Sequence, residues 1–410
     1  MTGVQTCALP ILAGDDVYQL DQGSGGTGFA GIGMLFDRKG NDVYMGNRFT
    51  QGAAFGGLGL LIDLAGNDTY TSDPLGLATG RLGVGMLVDL AGDDVYQLDQ
   101  GSGGTGFAGI GILFDRKGND VYMGNRFTQG AAFGGLGLLV DLAGNDRYTS
   151  HGFAIGFGGP LGMGAVIDRT GNDAYQCGDK YPSSLNQQEA PAAKPGDPAF
   201  QYLCYGMGSG AGVDGGSKKA DAQLLNLAGG LGYLIDVEGQ DQYRSGNLSQ
   251  GAGHYFGIGV AIDLEGDDSR AGGRTSLGAA GHYGIGLLVD AQGADRYTPS
   301  GPKHNLSSAS DRSVSLLIDG GTGADVYDLT RSTGLGDADS ESWALFIDEG
   351  GTDRYQGLAG LGHGTQDSLG LFFDLSGTDT YDNQSGTPPS ASGRGNERTI
   401  RATGSLFQDR

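Results

Sequence analysis

Two apolar residues followed by Asp-x-x-Gly-x-Asp-x-Tyr recur at a near-constant interval through almost the whole chain, and this repetition constrains the fold more than any other feature. Complete copies open at Asp37, Asp63, Asp89, Asp115, Asp141, Asp168, Asp236, Asp263, Asp290, Asp319, Asp348 and Asp374. Their second aspartates are Asp42, Asp68, Asp94, Asp120, Asp146, Asp173, Asp241, Asp268, Asp295, Asp325, Asp353 and Asp379, five residues on in every copy except Asp319/Asp325. Asp16 and Tyr18 are the tail of a further copy. From Asp16 to Asp146 successive second aspartates lie 26 residues apart, and later steps run from 26 to 30 apart from one of 68. A fixed period in this range signals a solenoid, a propeller or an array, in which each unit buries its apolar surface against its neighbours.

Within one unit, Leu58, Leu60 and Ile62 of GLGLLID (residues 57–63) alternate onto one face, which predicts a strand. LAGN follows as a turn, DTYT (68–71) reads as a second short strand, and a glycine-rich spacer such as GSGGTGFAGIG (23–33) leads to the next unit. No segment carries an amphipathic helical period over a normal helix length, so the chain reads as all-β. A β-solenoid of parallel β-helix type, with about 26 residues per coil and coils stacked about 4.8 Å apart, turns every motif position into a file. Triplets such as Leu60, Leu61 and Ile62 are then expected to build a continuous core. The alternative is a closed toroid or propeller of β-hairpins, because the motif also suits two strands joined by a four-residue loop. A transmembrane barrel fits worse, since the strands lack polar lumen-facing partners.

Residues 1–11, MTGVQTCALPI, read as the translation of a common sequencing adapter and are set aside as an artefact. Regular repeats occupy 12–175 and 228–381, with 382–410 a polar tail whose GSLFQDR (404–410) matches the opening of another copy, GMLFDRK (33–39). Residues 13–72 and 91–150 are one 60-residue block repeated at an offset of 78, three whole periods, so the repetition keeps register. Residues 176–227 break the rhythm with a Pro-rich loop, read as a tolerated surface insertion or a functional one. Cys177 and Cys204 flank it; two separate buried thiols are the simpler expectation, and a disulfide stapling the insertion the alternative.

Glycine fills 83 of 410 positions, a cost in backbone entropy that regular spacing shows to be structural rather than a sign of disorder. No run of 18 apolar residues occurs without a charge, which excludes a membrane-spanning helix. A formal charge of −23 argues against nucleic acid, whose phosphates need Lys and Arg, and for divalent cations as partners.

Twelve first and thirteen second aspartates make up 25 of the 48 acidic residues. If coils stack, like carboxylates recur about every 4.8 Å and repel by roughly 3.5 kcal/mol per pair at an effective dielectric near 20. Calcium would compensate this, because it takes carboxylates and backbone carbonyls together, and every aspartate of the motif is a candidate ligand. The competing reading is structural: the first Asp accepts N–H groups of its own turn, and the second caps the return strand.

Residues 320–328, GGTGADVYD, resemble the nonapeptide of RTX-type calcium-binding repeats at every defined position. That resemblance implies Asp325 as a ligand together with the carbonyls of Gly321 and Gly323. Other copies match only its second half, as in GNDVY (40–44), and no nonapeptides follow in tandem. The wider consensus, SQGAGHYFGIGVAIDLEGDD (249–268), also resembles uncharacterised bacterial Gly/Asp-rich repeat proteins with DxxGxDxY units.

The motif tyrosines form an expected aromatic ladder with Arg270 as the one substitution; packing in the wall is the plain reading, a carbohydrate-binding stripe the sharper one. His254 and His282, 28 residues apart and each followed by Tyr, would stand near each other beside the aspartates. GSGGTG (23–28) lacks the strand–helix context of dinucleotide binding, and GMGSGAG (206–212) fails the nucleophile-elbow spacing. Taken together, the sequence points to a non-catalytic, secreted or surface-exposed repeat protein acting as a stalk, adhesin or matrix component. Calcium is its expected cofactor and a surface polysaccharide or protein its expected partner. The rival is a polysaccharide-active enzyme on a parallel β-helix, with the insertion as a lid.

Overall fold

The computed structural model describes residues 7–10, 13–184, 186, 191–197, 199–213, 227–301, 303–357, 360–382, 393–395, 398–402 and 405–409. Parts of the adapter-like start, of the insertion and of the tail lie outside these residues. The chain is a β-solenoid of parallel coils, divided into two compact units: Met1–Cys177 with Gly206–Gly208 and Gly230–Ile235, and Gly178–Tyr205 with Ser209–Gly229 and Asp236–Arg410.

Each coil has three walls. In the first unit the first wall is built from strands such as Leu58–Ile62, Val84–Val88 and Ile110–Phe114, the second from Thr69–Ser72, Val95–Leu98 and Val121–Arg126, and the third from two-residue strands such as Gly80–Arg81 and Gly106–Phe107. All three walls pair in parallel and in register, so that Leu61, Leu87 and Leu113 form one file and Tyr70, Tyr96 and Tyr122 another. The second unit repeats the plan. Its first wall runs through Ile258–Asp263, Ile285–Asp290, Val314–Asp319, Trp343–Asp348 and Leu369–Asp374 in register. The backbone of Ser405–Asp409 adds to that wall with Asp374 opposite Asp409, and that of Cys7–Pro10 pairs with Ile32–Phe36 in the first unit. The hairpin toroid is therefore incorrect: hairpins pair consecutive strands antiparallel across short loops, whereas here strands one period apart pair in parallel.

The core is not the one the aliphatic triplets suggested. Leu58, Leu60 and Ile62 do share a face, but it is the outer one; Gly59 and Leu61 point inward. The third wall runs so close to the first that a Cβ at Gly59 would lie 2.0 Å from the Ala53 carbonyl oxygen. From Ile32–Phe36 to Leu136–Val140 the inward positions therefore hold one glycine and one leucine per strand, and the interior there is filled by residues such as Leu61, Leu87, Leu113, Tyr70, Tyr96 and Tyr122, all fully buried. In the second unit Leu288, Leu317, Phe346 and Phe372 join Tyr297, Tyr327, Tyr355 and Tyr381.

Within the insertion the Asn186 side chain donates to the Gln201 carbonyl and accepts the Gln201 N–H, and Asn247 Nδ2 donates to Gln201 Oε1 at 2.8 Å and to Ser183 Oγ at 3.2 Å. Gly210–Ala211 then rejoins the third wall beside Gly253–His254. Cys177 and Cys204 are both disulfide-bonded, which corrects the expectation of two separate thiols.

Candidate cation site: the internal aspartate file

The first aspartate of each copy ends the first wall and folds back into the coil. Asp63 Oδ1 accepts the N–H of Ala65 at 3.1 Å, closing the Asx-turn, and Oδ2 accepts the hydroxyl of Tyr44 from the preceding coil at 2.7 Å. Asp89, Asp115 and Asp141 repeat both bonds with Tyr70, Tyr96 and Tyr122. In the second unit Asp348 accepts from Gly350, Tyr327 and Tyr355.

The second aspartate does something its sequence position did not suggest. Instead of capping its own strand, Asp68 Oδ1 accepts the backbone N–H of Asp42 at 2.6 Å, and the N–H of Asp68 goes to Asp94 Oδ1 at 2.6 Å. The relay continues through Asp120 and Asp146, and in the second unit from Asp241 through Asp268, Asp295, Asp325 and Asp353 to Asp379. The preceding Asn or Asp runs the other way along the surface: the N–H of Asn67 donates to Asn41 Oδ1, and that of Asp93 to Asn67. The glycine between the aspartates permits this stacking, because a Cβ at Gly66 would lie 1.5 Å from the Gly40 carbonyl oxygen.

All twenty-four motif aspartates are at most 2 % exposed. Carboxylate oxygens of Asp42, Asp63 and Asp68 lie within 4.8 Å of one another, as do those of Asp68, Asp89 and Asp94, and of Asp94, Asp115 and Asp120. Consecutive groups share a second aspartate, so each coil contributes two carboxylates and one potential site. Oδ2 has no hydrogen-bond partner in second aspartates such as Asp42, Asp68, Asp94, Asp120 and Asp146, and Asp295 and Asp353 in the second unit. Buried polar atoms are normally satisfied, so each such oxygen marks a place for a proton or a cation. Burial first, then neighbouring carboxylates, pushes these groups up: Asp42 to about 6, and Asp353 to about 8 with Asp348 beside it.

The charge is therefore interior. Removing the 24 motif aspartates from 48 acidic residues leaves 24, and removing Arg270 from 25 basic residues leaves 24, so the rest of the chain is formally neutral. The −23 on which nucleic acid was set aside does not describe the outer surface.

Arg270 takes the place of a motif tyrosine, in register between Tyr243 and Tyr297. It is 1 % exposed, with Nη2 2.7 Å from Asp263 Oδ2, Nε 2.9 Å from Asp290 Oδ2 and Nη2 3.6 Å from Asp268 Oδ2. Its guanidinium lies 4.0 Å from the centre of the Tyr243 ring. At this coil the chain supplies its own cation among carboxylates of the file.

Elsewhere the tyrosines stack at 4.5 to 5.0 Å with nearly parallel rings; from Tyr44 onward they are buried, and Tyr44, Tyr70, Tyr96 and Tyr122 among them place the hydroxyl on an aspartate, which rules out the carbohydrate-binding stripe. The Tyr-to-Asp bond went unread in the sequence, although a near-constant spacing, 19 residues from Tyr44 to Asp63 and 21 from Tyr327 to Asp348, carried it. For the RTX resemblance, Asp325 lies in the file, but the Gly323 carbonyl accepts the N–H of Thr352 in the next coil. What converges on each site is carboxylates of successive coils rather than the carbonyls of one loop.

His254 and His282 do adjoin, with ring centres 5.1 Å apart. They lie at the third wall, where His282 Nδ1 sits 2.8 Å from the non-motif Asp311 and burial lowers the pKa of His254 to about 3. His282 borders a cavity of about 500 Å³ with Tyr255, Phe256 and Tyr283. No family model matches the chain, and no curated protein or solved structure matches it.

Proposed function

We propose that this chain is a non-catalytic scaffold, a stalk, adhesin or matrix component, whose internal aspartate file takes up one divalent cation per coil, calcium by preference. The observation that carries this reading is the buried, partnerless Oδ2 of second aspartates such as Asp68, Asp94 and Asp120, each within a group of three carboxylates whose oxygens lie within 4.8 Å of one another. Two aspartates per coil carry a charge of −2, which one divalent ion neutralises, and an all-oxygen donor set suits a hard cation. Arg270 supports the same logic from inside the sequence, since a cation is what occupies the file where the tyrosine is missing. A scaffold also suits a site repeated coil after coil. Secretion or surface exposure is proposed because Cys177 and Cys204 are disulfide-bonded, which fits an oxidising compartment.

Calorimetric titration of chelator-treated protein with Ca²⁺ tests this directly. Uptake approaching one ion per motif copy, with a melting temperature that climbs with Ca²⁺ and falls on chelation, is expected because ligand bound to the folded state alone stabilises it. A melting curve unmoved by Ca²⁺, with no heat of binding, rejects the cation role.

The polysaccharide-active alternative has one observation behind it: the His282–Asp311 pair beside the half-exposed rings of Phe256 and Tyr283 is not repeated in the motif. Weakened binding of neutral oligosaccharides by a Phe256→Ala variant would favour it.

A further inference from the structure

Each first-wall strand turns its larger apolar face away from the core. Leu58, Leu60 and Ile62 point outward in one strand and Val84, Met86 and Val88 in the next, paired in register. The second unit does the same, with Ile285 43 % and Trp343 63 % exposed. Parallel sheets are normally covered on both faces, and strands apolar on both sides read as buried on both. These strands carry that pattern with one side open.

We propose that this face is where a second copy of the chain packs, apolar sheet against apolar sheet. In the first unit the face spans seven strands, from Ile32–Phe36 to Leu231–Asp236. At about 4.8 Å per strand and about 3.3 Å per residue its footprint is about 34 Å by 17 Å, or about 570 Å². Two such faces bury about 1,100 Å², above ordinary lattice contacts and close to the smallest stable interfaces. That footprint stands at the upper end of the largest apolar patches found on monomers, about 300–600 Å².

Charge and geometry favour a second copy over other occupants. Outside the motif aspartates and Arg270 the chain is formally neutral, so residues outside the file add no net repulsion between two copies. A face with a rise of about 4.8 Å per strand is matched along its length by another face of the same rise, and two sheets pack about 10 Å apart through such side chains. This inference extends the scaffold reading but does not depend on cation uptake. Association is read by sedimentation and uptake by calorimetry, so either fails alone.

Sedimentation equilibrium of the full chain over a wide concentration range, with Ca²⁺ and with chelator, tests it. Wild type is expected to be in monomer–dimer equilibrium. A Leu60→Lys/Met86→Lys variant, with its tyrosine near-ultraviolet dichroism retained, is expected to need about 100-fold more protein to associate, the loss of about 2.7 kcal/mol of binding free energy. Leu82→Lys, at a position 63 % exposed but off this face, should leave association unchanged. A wild type that stays monomeric overturns the proposal even if the lysine variant fails to fold. So does a folded lysine variant that associates like wild type, equal dissociation by Leu82→Lys, or a monomer that co-floats with phosphatidylcholine vesicles.

Discussion

Asp353→Asn separates a proton-filled file from a cation-filled one and gives the sharpest test of the interior chemistry. Asp353 is fully buried; its Oδ1 accepts the N–H of Asp325 at 2.8 Å and its Oδ2 has no partner. Burial and the charge of Asp348 raise its pKa from 3.8 to about 8. A group whose folded pKa is raised stabilises the protein fully below its unfolded pKa, and that contribution is lost as pH rises through the folded pKa. Without divalent ions, at pH 7, folding must draw a proton onto Asp353, at a cost of about 4 kcal/mol from roughly three pKa units at 1.36 kcal/mol each. Asparagine retains the Oδ1 acceptor, puts a donor where Oδ2 lacked a partner, and needs no proton. In chelator, Asp353→Asn is therefore expected to match wild type near pH 4 and exceed it increasingly up to about pH 8, by about 4 kcal/mol at pH 7, after which the difference levels off. Urea melts at successive pH values read this out. In saturating Ca²⁺ the ordering should narrow or reverse, because wild type gains a ligand-linked term that the variant has lost at that coil. A chelator-treated variant no more stable than wild type at pH 7, or a difference that does not change between pH 4 and pH 8, refutes the reasoning.

Tyr70→Phe removes the hydroxyl that Asp89 accepts at 2.7 Å and should cost about 1.5–3 kcal/mol, with the stacked ring retained; thermal melts check it. Gly92→Ala places a Cβ 1.6 Å from the Gly66 carbonyl oxygen and should destabilise by about 3 kcal/mol or more, with hydrogen exchange accelerated most in the adjoining coils. Arg270→Tyr restores the motif but leaves Asp263 and Asp290 without their cation. It should lower stability in chelator by about 3–5 kcal/mol and raise calcium stoichiometry by one, and unchanged stoichiometry would count against Arg270 as a built-in ion.

The repeat made the coil, its stacking and the alignment of Asp63 with Asp89 and of Tyr70 with Tyr96 readable, because a constant period allows equivalent residues to meet only in files. It also placed the carboxylates together, since two positions per period hold half the acidic residues. The direction of the first wall was not readable. Period two assigns Leu58, Leu60 and Ile62 to one side and Gly59 and Leu61 to the other, and both sides are apolar, so the pattern alone cannot say which is inside. The close approach of the third wall decides it, by leaving no room at Gly59 for a side chain. Tertiary structure likewise decided that the aspartates lie within the coils: their turn bonds are local, but the tyrosine hydroxyls and backbone N–H groups that bury them come from a neighbouring coil.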